Sequence, residues 1–132
     1  MRSPHGRRKI ELKESYQIGE IVEVKIEIYF TAKNLADTVD LWIAVQTPSS
    51  DFLYMTPLPL AALFSLEPQF FRDRLGTTKD TFSVISDLQV PAGIGGNYTF
   101  YAALIETGKN PFKDGMWVIR EMKQASTLLS NR

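Results

Sequence analysis

The side chains of this chain that are able to do chemistry are few and scattered. The only histidine is His5, and there is no cysteine. A Ser-His-acid triad needs a histidine held by a third group, and His5 sits in a polar, basic arm. Histidine or thiolate metal sites, disulfides and cysteine nucleophiles are excluded on the same count. Glu23 and Glu27 are the one regular carboxylate pair. On a strand, four residues place them about 13 Å apart, beyond the separations used for glycoside hydrolysis, with Lys25 between them. Asp37 and Asp40 flank one turn and Asn110 and Asp114 another, but neither pair supplies the dense oxygen set that calcium needs. Gly93-Ile94-Gly95-Gly96 leads into a strand pattern instead of a helix, so it is not a phosphate loop. Asn97-Tyr98-Thr99 is a glycosylation sequon, a motif frequent by chance. No catalytic set, cofactor or metal site emerges.

What remains is a surface. Trp42, Ala44, Tyr101, Ala103 and Ile105 occupy alternate positions of two strand-like stretches. If those strands share a sheet, the five residues make one apolar patch, which Trp117 or its neighbours on the last strand extend. Two uses compete. The apolar crossover Thr56–Leu75 folds over the patch as an internal lid, or the patch packs on another subunit or a neighbouring domain. Sugar stacking on Trp42, Tyr101 or Trp117 is a third use, requiring exposed rings with polar neighbours.

The positioning elements follow from period-two alternation. The stretch organising the chain is Gly95–Ile105. Tyr98, Phe100, Ala102 and Leu104 share its core face, and Thr99, Tyr101, Ala103 and Ile105 the other. A strand apolar on both faces is covered on both or lends one face to a partner. The preceding Pro91–Gly96 is turn chemistry, and Tyr98 just after it is placed like the tyrosine corner of Greek-key sandwiches. Glu20–Phe30 is the clearest strand, with Val22, Val24, Ile26, Ile28 and Phe30 on one face and Glu23, Lys25 and Glu27 on the other. Val39–Thr47 follows, then a Pro48–Asp51 turn and a short strand at Phe52–Met55.

The other segments are read in the same way. Lys9–Lys13 is a short first strand, with Ile10 and Leu12 inward, and Ser15–Glu20 is a turn. Lys33–Asp37 is a polar connection. Thr56–Lys79 breaks the rhythm. Its prolines bar a central strand, it is too apolar for a solvated loop, and Leu60–Leu66 suits one or two helical turns. Asp80–Leu88 resumes alternation, with Phe82, Val84 and Leu88 on one face. Thr107–Gly115 reads as a polar hairpin loop, and Met116 to about Ser126 as the last strand. The domain plan is a flexible basic arm at residues 1–8, one domain at residues 9–126 and a tail at residues 127–132. About seven strands with no long helix indicate an all-β, two-sheet Greek-key β-sandwich with one long apolar crossover.

Three stretches carry a resemblance. Tyr16-Gln17-Ile18-Gly19-Glu20 precedes a long alternating strand. Asp40–Gln46 and Pro91-Ala92-Gly93, continuing through Gly96–Leu104, come later in the chain. Together they resemble immunoglobulin-like or fibronectin-III-like modules of large exported bacterial proteins. The resemblance implies a β-sandwich serving as spacer, stalk or attachment domain at the cell surface or outside the cell. It carries over no catalytic residue.

Composition bounds the partners. The 132 residues suit one domain. Fifteen Lys and Arg balance fifteen Asp and Glu, whereas nucleic-acid binders usually carry a basic excess. No apolar run approaches the ~20 residues of a transmembrane helix. Met1–Lys9 is basic and holds no apolar leader core, which leaves an intracellular protein or a mature form. The expected function is a non-catalytic structural module that presents its apolar sheet face for self-assembly or domain packing. The alternative is a carbohydrate-binding module.

Overall fold

A computed structural model describes residues 10–57 and 64–130. The basic arm at residues 1–8 lies outside them, as does most of the helical turn expected at Leu60–Leu66. The described residues form the two sheets of a β-sandwich and the turns that join them. In chain order the strands are β1 (Ile10–Glu11), β2 (Ser15–Tyr16), β3 (Ile21–Phe30), β4 (Val39–Gln46), β5 (Phe52–Met55), β6 (Phe64–Ser65), β7 (Arg72–Leu75), β8 (Thr78–Gln89), β9 (Gly96–Glu106) and β10 (Ile119–Leu129). One helical turn, α1 (Pro111–Asp114), and a 3-10 turn, Met116–Val118, lie between β9 and β10. The small sheet has the order β1-β3-β8. The large sheet has the order β2-β10-β9-β4-β5-β6, with β7 also pairing β4.

The alternation expected of β3 is realised, since Val22, Val24, Ile26, Ile28 and Phe30 are all buried. They face Leu41, Ile43 and Val45 of β4 and Phe100, Ala102 and Leu104 of β9 in a single core. β3 and β8 pair antiparallel along their length, with register shifts around Val24. Those shifts bring Ile85 to the core beside Val84 and Phe82 and leave Leu88 40% exposed, where strict alternation would bury it. An apolar space of about 310 Å³ remains between the sheets, lined by Val22 and Ile85 on one side and Val45, Leu53 and Phe100 on the other.

Turns fix the strand order. Tyr98 donates its hydroxyl to the Ile94 carbonyl at 2.7 Å, tying down the glycine turn ahead of β9. Gly96 has φ 132°, and a Cβ there would fall 2.6 Å from Pro48 Cγ, so the turn packs against the β4–β5 hairpin only without a side chain. Hairpin β4–β5 forms at Pro48–Asp51 as expected.

Several boundaries differ from the sequence reading. Ser15–Tyr16 is strand, not turn. Buried Tyr16 pins it, its hydroxyl accepting from Lys13 N at 3.0 Å and donating to Glu23 O at 3.2 Å. β2 runs parallel to the end of β10, with Leu128 N donating to Glu14 O and Ser130 N to Tyr16 O, both at 2.9 Å. β10 therefore continues to Leu129, past the expected end at Ser126. Phe64–Ser65, part of the expected helical turn, is strand β6 against β5. The total of ten strands against about seven reflects added pieces of two to four residues.

Candidate functional site

The outward side chains of β4 and β9 meet as alternation requires. The two strands pair antiparallel with Trp42 opposite Ala103, Ala44 opposite Tyr101 and Asp40 opposite Ile105. β5 brings Tyr54 beside Ala44 and Phe52 beside Gln46. On the other flank, β10 sets Met122 opposite Ala103 and Ile119 opposite Ile105. Small residues at Ala44 and Ala103 leave depth between larger neighbours. The result is an apolar groove of about 240 Å³ on the outer face of the large sheet.

The fourth wall is the segment read from sequence as a polar hairpin loop. Its Pro111–Asp114 folds into α1, and Met116–Val118, read as the start of the last strand, folds into the 3-10 turn; together they lay Pro111, Phe112 and Met116 along the groove and bury Val118 in the cluster beneath. The local reason is legible in retrospect. Asn110 is an N-cap whose Oδ1 accepts from Phe112 N at 2.8 Å, Pro111 takes the first helical position, and Gly115 ends the turn at φ 100°. Asp114 Oδ2 accepts from Asn110 N at 2.8 Å, closing the turn from its other end. The described part of the Thr56–Leu75 crossover contributes little here. Phe70 packs on the outer cluster, whereas Phe64 and Phe71 turn to the inner core.

Aromatic geometry defines the groove. Trp42 and Tyr54 are 7% and 6% exposed and meet edge to face at 6.3 Å. Phe112 caps both, 6.5 Å from Trp42 and 6.0 Å from Tyr54, yet stays 61% exposed. Phe52 lies against Tyr54 and Tyr101. The Tyr101 hydroxyl donates to Gln46 Oε1 at 3.1 Å. Burial pushes the Tyr54 phenol above its ordinary pKa. The Trp42 Nε1–H is buried and has no acceptor among the described residues.

Of the six residues singled out from sequence, Trp42, Ala44, Tyr101, Ala103 and Ile105 line the groove together. Trp117 does not. It falls in the 3-10 turn instead of a strand, lies against Gly115 and is 70% exposed. Phe52, Tyr54, Phe112 and Met122 were missed, whereas Met116, a neighbour of Trp117 in the sequence reading, does line the groove. Met122 and Tyr54 become visible only once the pairing register is known.

The scattered carboxylates have structural posts. Asp40 is buried and accepts from Arg74 N and Gly108 N, each at 3.0 Å, fastening β7 and the turn ahead of α1 to β4. Asp37 pairs with Arg120 at 2.7 Å and accepts from Lys33 N. The Arg120 bond, then that amide, hold its carboxyl below the usual range. Glu23 and Lys25 are solvated on β3. The described residues contain no cluster of His, Asp or Glu able to hold a metal ion, and no helix among them is long and apolar enough to cross a membrane.

Comparison with protein-family models, with curated proteins and with solved structures finds no match to this chain.

Proposed function

We infer that this chain is a non-catalytic β-sandwich interaction module whose large-sheet groove docks a protein surface, either a second copy or a neighbouring domain. One observation carries this reading. A groove lined by aromatic and aliphatic side chains, with no charged residue among the described residues of its lining, lies on the outside of the sandwich and is bordered by exposed Phe52, Phe112, Met116 and Met122. Apolar patches of this kind on soluble domains mark contact sites, with large anchors at their centre.

The strand order supports the immunoglobulin-like plan. β1-β3-β8 takes the place of strands A, B and E, and β10-β9-β4-β5 that of G, F, C and C′. Modules of this plan in exported bacterial proteins serve as spacers and attachment domains, which supports a place at the cell surface or outside the cell. The non-catalytic reading draws support from the carboxylates, since Asp37 and Asp40 are engaged by Arg120 and backbone amides. Sugar binding is less supported. Trp42 is too buried to stack on a pyranose, Tyr101 is half-buried with its hydroxyl bonded to Gln46, and exposed Trp117 stands outside the groove lining.

The test is mass in solution by light scattering coupled to size exclusion, from micromolar to millimolar. Self-docking predicts a mass that rises with concentration and stays monomeric in Met122→Lys. Neighbour-domain docking predicts a monomer that binds an adjoining domain through the same residue. A monomer whose groove binds nothing apolar overturns the reading.

A further inference from the structure

A second apolar hollow is independent of the outer groove and of anything that docks there. Native interiors pack so closely that voids larger than a water molecule are few. Between the two sheets of this sandwich lies an apolar space of about 310 Å³. It sits toward one end of the molecule. Val22 and Leu88 stand near one end of the β3–β8 ladder, and Val45, Tyr98 and Leu129 near the matching ends of β4, β9 and β10. Leu88 is 40% exposed, and Leu53, Phe64 and Ile94 are half-buried, so the space reaches the surface beside β5, β6 and β8.

The walls fix the chemistry of a ligand. Three polar side chains border the space, and each directs its hydroxyl proton to another group of the protein. Tyr98 donates to the Ile94 carbonyl and Thr127 to the Lys13 carbonyl, both at 2.7 Å. Ser49 donates to Asp51, so the Thr47 hydroxyl, 3.0 Å from Ser49 Oγ, is the donor of that pair. No charged residue among the described ones lines the space. A polar or charged group carried in would lose its water and meet no opposite charge and no free hydroxyl donor. A hydrocarbon gains from leaving water in proportion to the area removed. Volume sets the size. An apolar cavity of ~150 Å³ admits benzene, so one about twice as large holds a hydrocarbon of about ten carbons.

We propose that the space between the sheets is a binding site for a small uncharged hydrocarbon of about ten carbons, which enters beside β5, β6 and β8. The ligand bridges the sheets, because Val22 and Ile85 belong to one and Val45, Leu53 and Phe100 to the other. Apolar walls supply the affinity, and the lack of a partner for any charge supplies the selectivity.

The experiment is an NMR titration of the full chain with naphthalene, and with 2-naphthoate as the same ring system carrying a carboxylate. Naphthalene is expected to shift the methyls of Val45, Leu53 and Ile85 saturably and to raise Tm, as a ligand of the folded state does. The methyls of Met116 and Met122 report the outer groove separately. Naphthoate is expected to bind the inner site at least about tenfold more weakly. Leu53→Trp narrows the space and should weaken naphthalene by about tenfold. Saturable shifts of the inner methyls support the proposal whether or not the methionines also move. Shifts of the methionines alone, or of no methyl, overturn it. Equal binding of naphthoate at the inner methyls overturns it too, as does an unchanged naphthalene affinity in a folded Leu53→Trp. The wild-type titrations decide the matter even if that variant does not fold.

Discussion

The two outer faces of the sandwich are built by the same period-two alternation and end up chemically opposite. On the small sheet, Glu23 and Lys25 of β3 and Thr81 and Ser83 of β8 stand in water. On the large sheet, the equivalent outward positions of β4 and β9 hold Trp42, Ala44, Ala103 and Ile105, all buried. Backbone geometry does not separate them, because both sheets alternate and both inner faces are apolar. The difference is what crosses each face. A helical turn and a 3-10 turn lie over part of the large sheet and leave a groove, whereas the polar face needs no cover. A second, incompletely covered apolar face is thus a property of side-chain choice at a handful of positions, laid over an ordinary sandwich.

Substitutions can break or sharpen that contrast. The largest effect belongs to the shared core. Ile26→Asp places a charge at a site 1% exposed and is expected to cost more than about 4 kcal/mol. Circular dichroism should show no cooperative melt, and a normal melt would mean β3 does not face inward as described. Next is Asp40→Ala. It orphans two backbone amides and releases the turn that carries the groove wall, for an expected loss of about 2–3 kcal/mol by denaturant unfolding. Tyr98→Phe removes one hydrogen bond from the turn ahead of β9 and should cost about 1 kcal/mol on the same assay.

The faces themselves respond differently from the core. Met122→Lys and Lys25→Ala should each change stability by no more than about 0.5 kcal/mol, but only Met122→Lys should alter concentration-dependent mass. Equal behaviour of the two variants would erase the contrast between the faces. The smallest effect concerns pH. Asp37 has a folded pKa below its ordinary value, so the stability it contributes is present above the carboxylate range and is lost as pH falls through the folded pKa. Asp37→Asn should flatten that acid slope, and an unchanged slope would mean the Arg120 pair contributes nothing there.

Much of this architecture was legible because alternation is a local signal. The residues from Ile21 to Phe30 announce their two faces with no knowledge of neighbours, and β4 and β9 declared five of the groove residues in the same way. What was hidden depends on pairing at long range or on brief local motifs. β2 exists because Ser15–Tyr16 meets Leu128–Leu129, far away in the chain, and nothing in two residues signals that. Trp117 was misplaced because alternation was extended through Met116–Val118, where Gly115 at positive φ starts a 3-10 turn. The groove wall had a readable mark in Asn110-Pro111, a cap followed by a first-turn proline, overshadowed by the polar character of its surroundings.

The parallel pairing of β2 with β10 has a mechanical meaning. Because the two strands run in the same direction, a chain pulled at its ends drags β2 backward and β10 forward along their common axis. The bonds from Leu128 to Glu14, from Ser130 to Tyr16 and from the Thr127 hydroxyl to Lys13 are then loaded in shear, all together. An antiparallel edge would open one bond at a time from its end. The β2 seam is only two residues long, and buried Tyr16 anchors it to the core. A sandwich closed in this way meets a stretching force with these end bonds together instead of one after another.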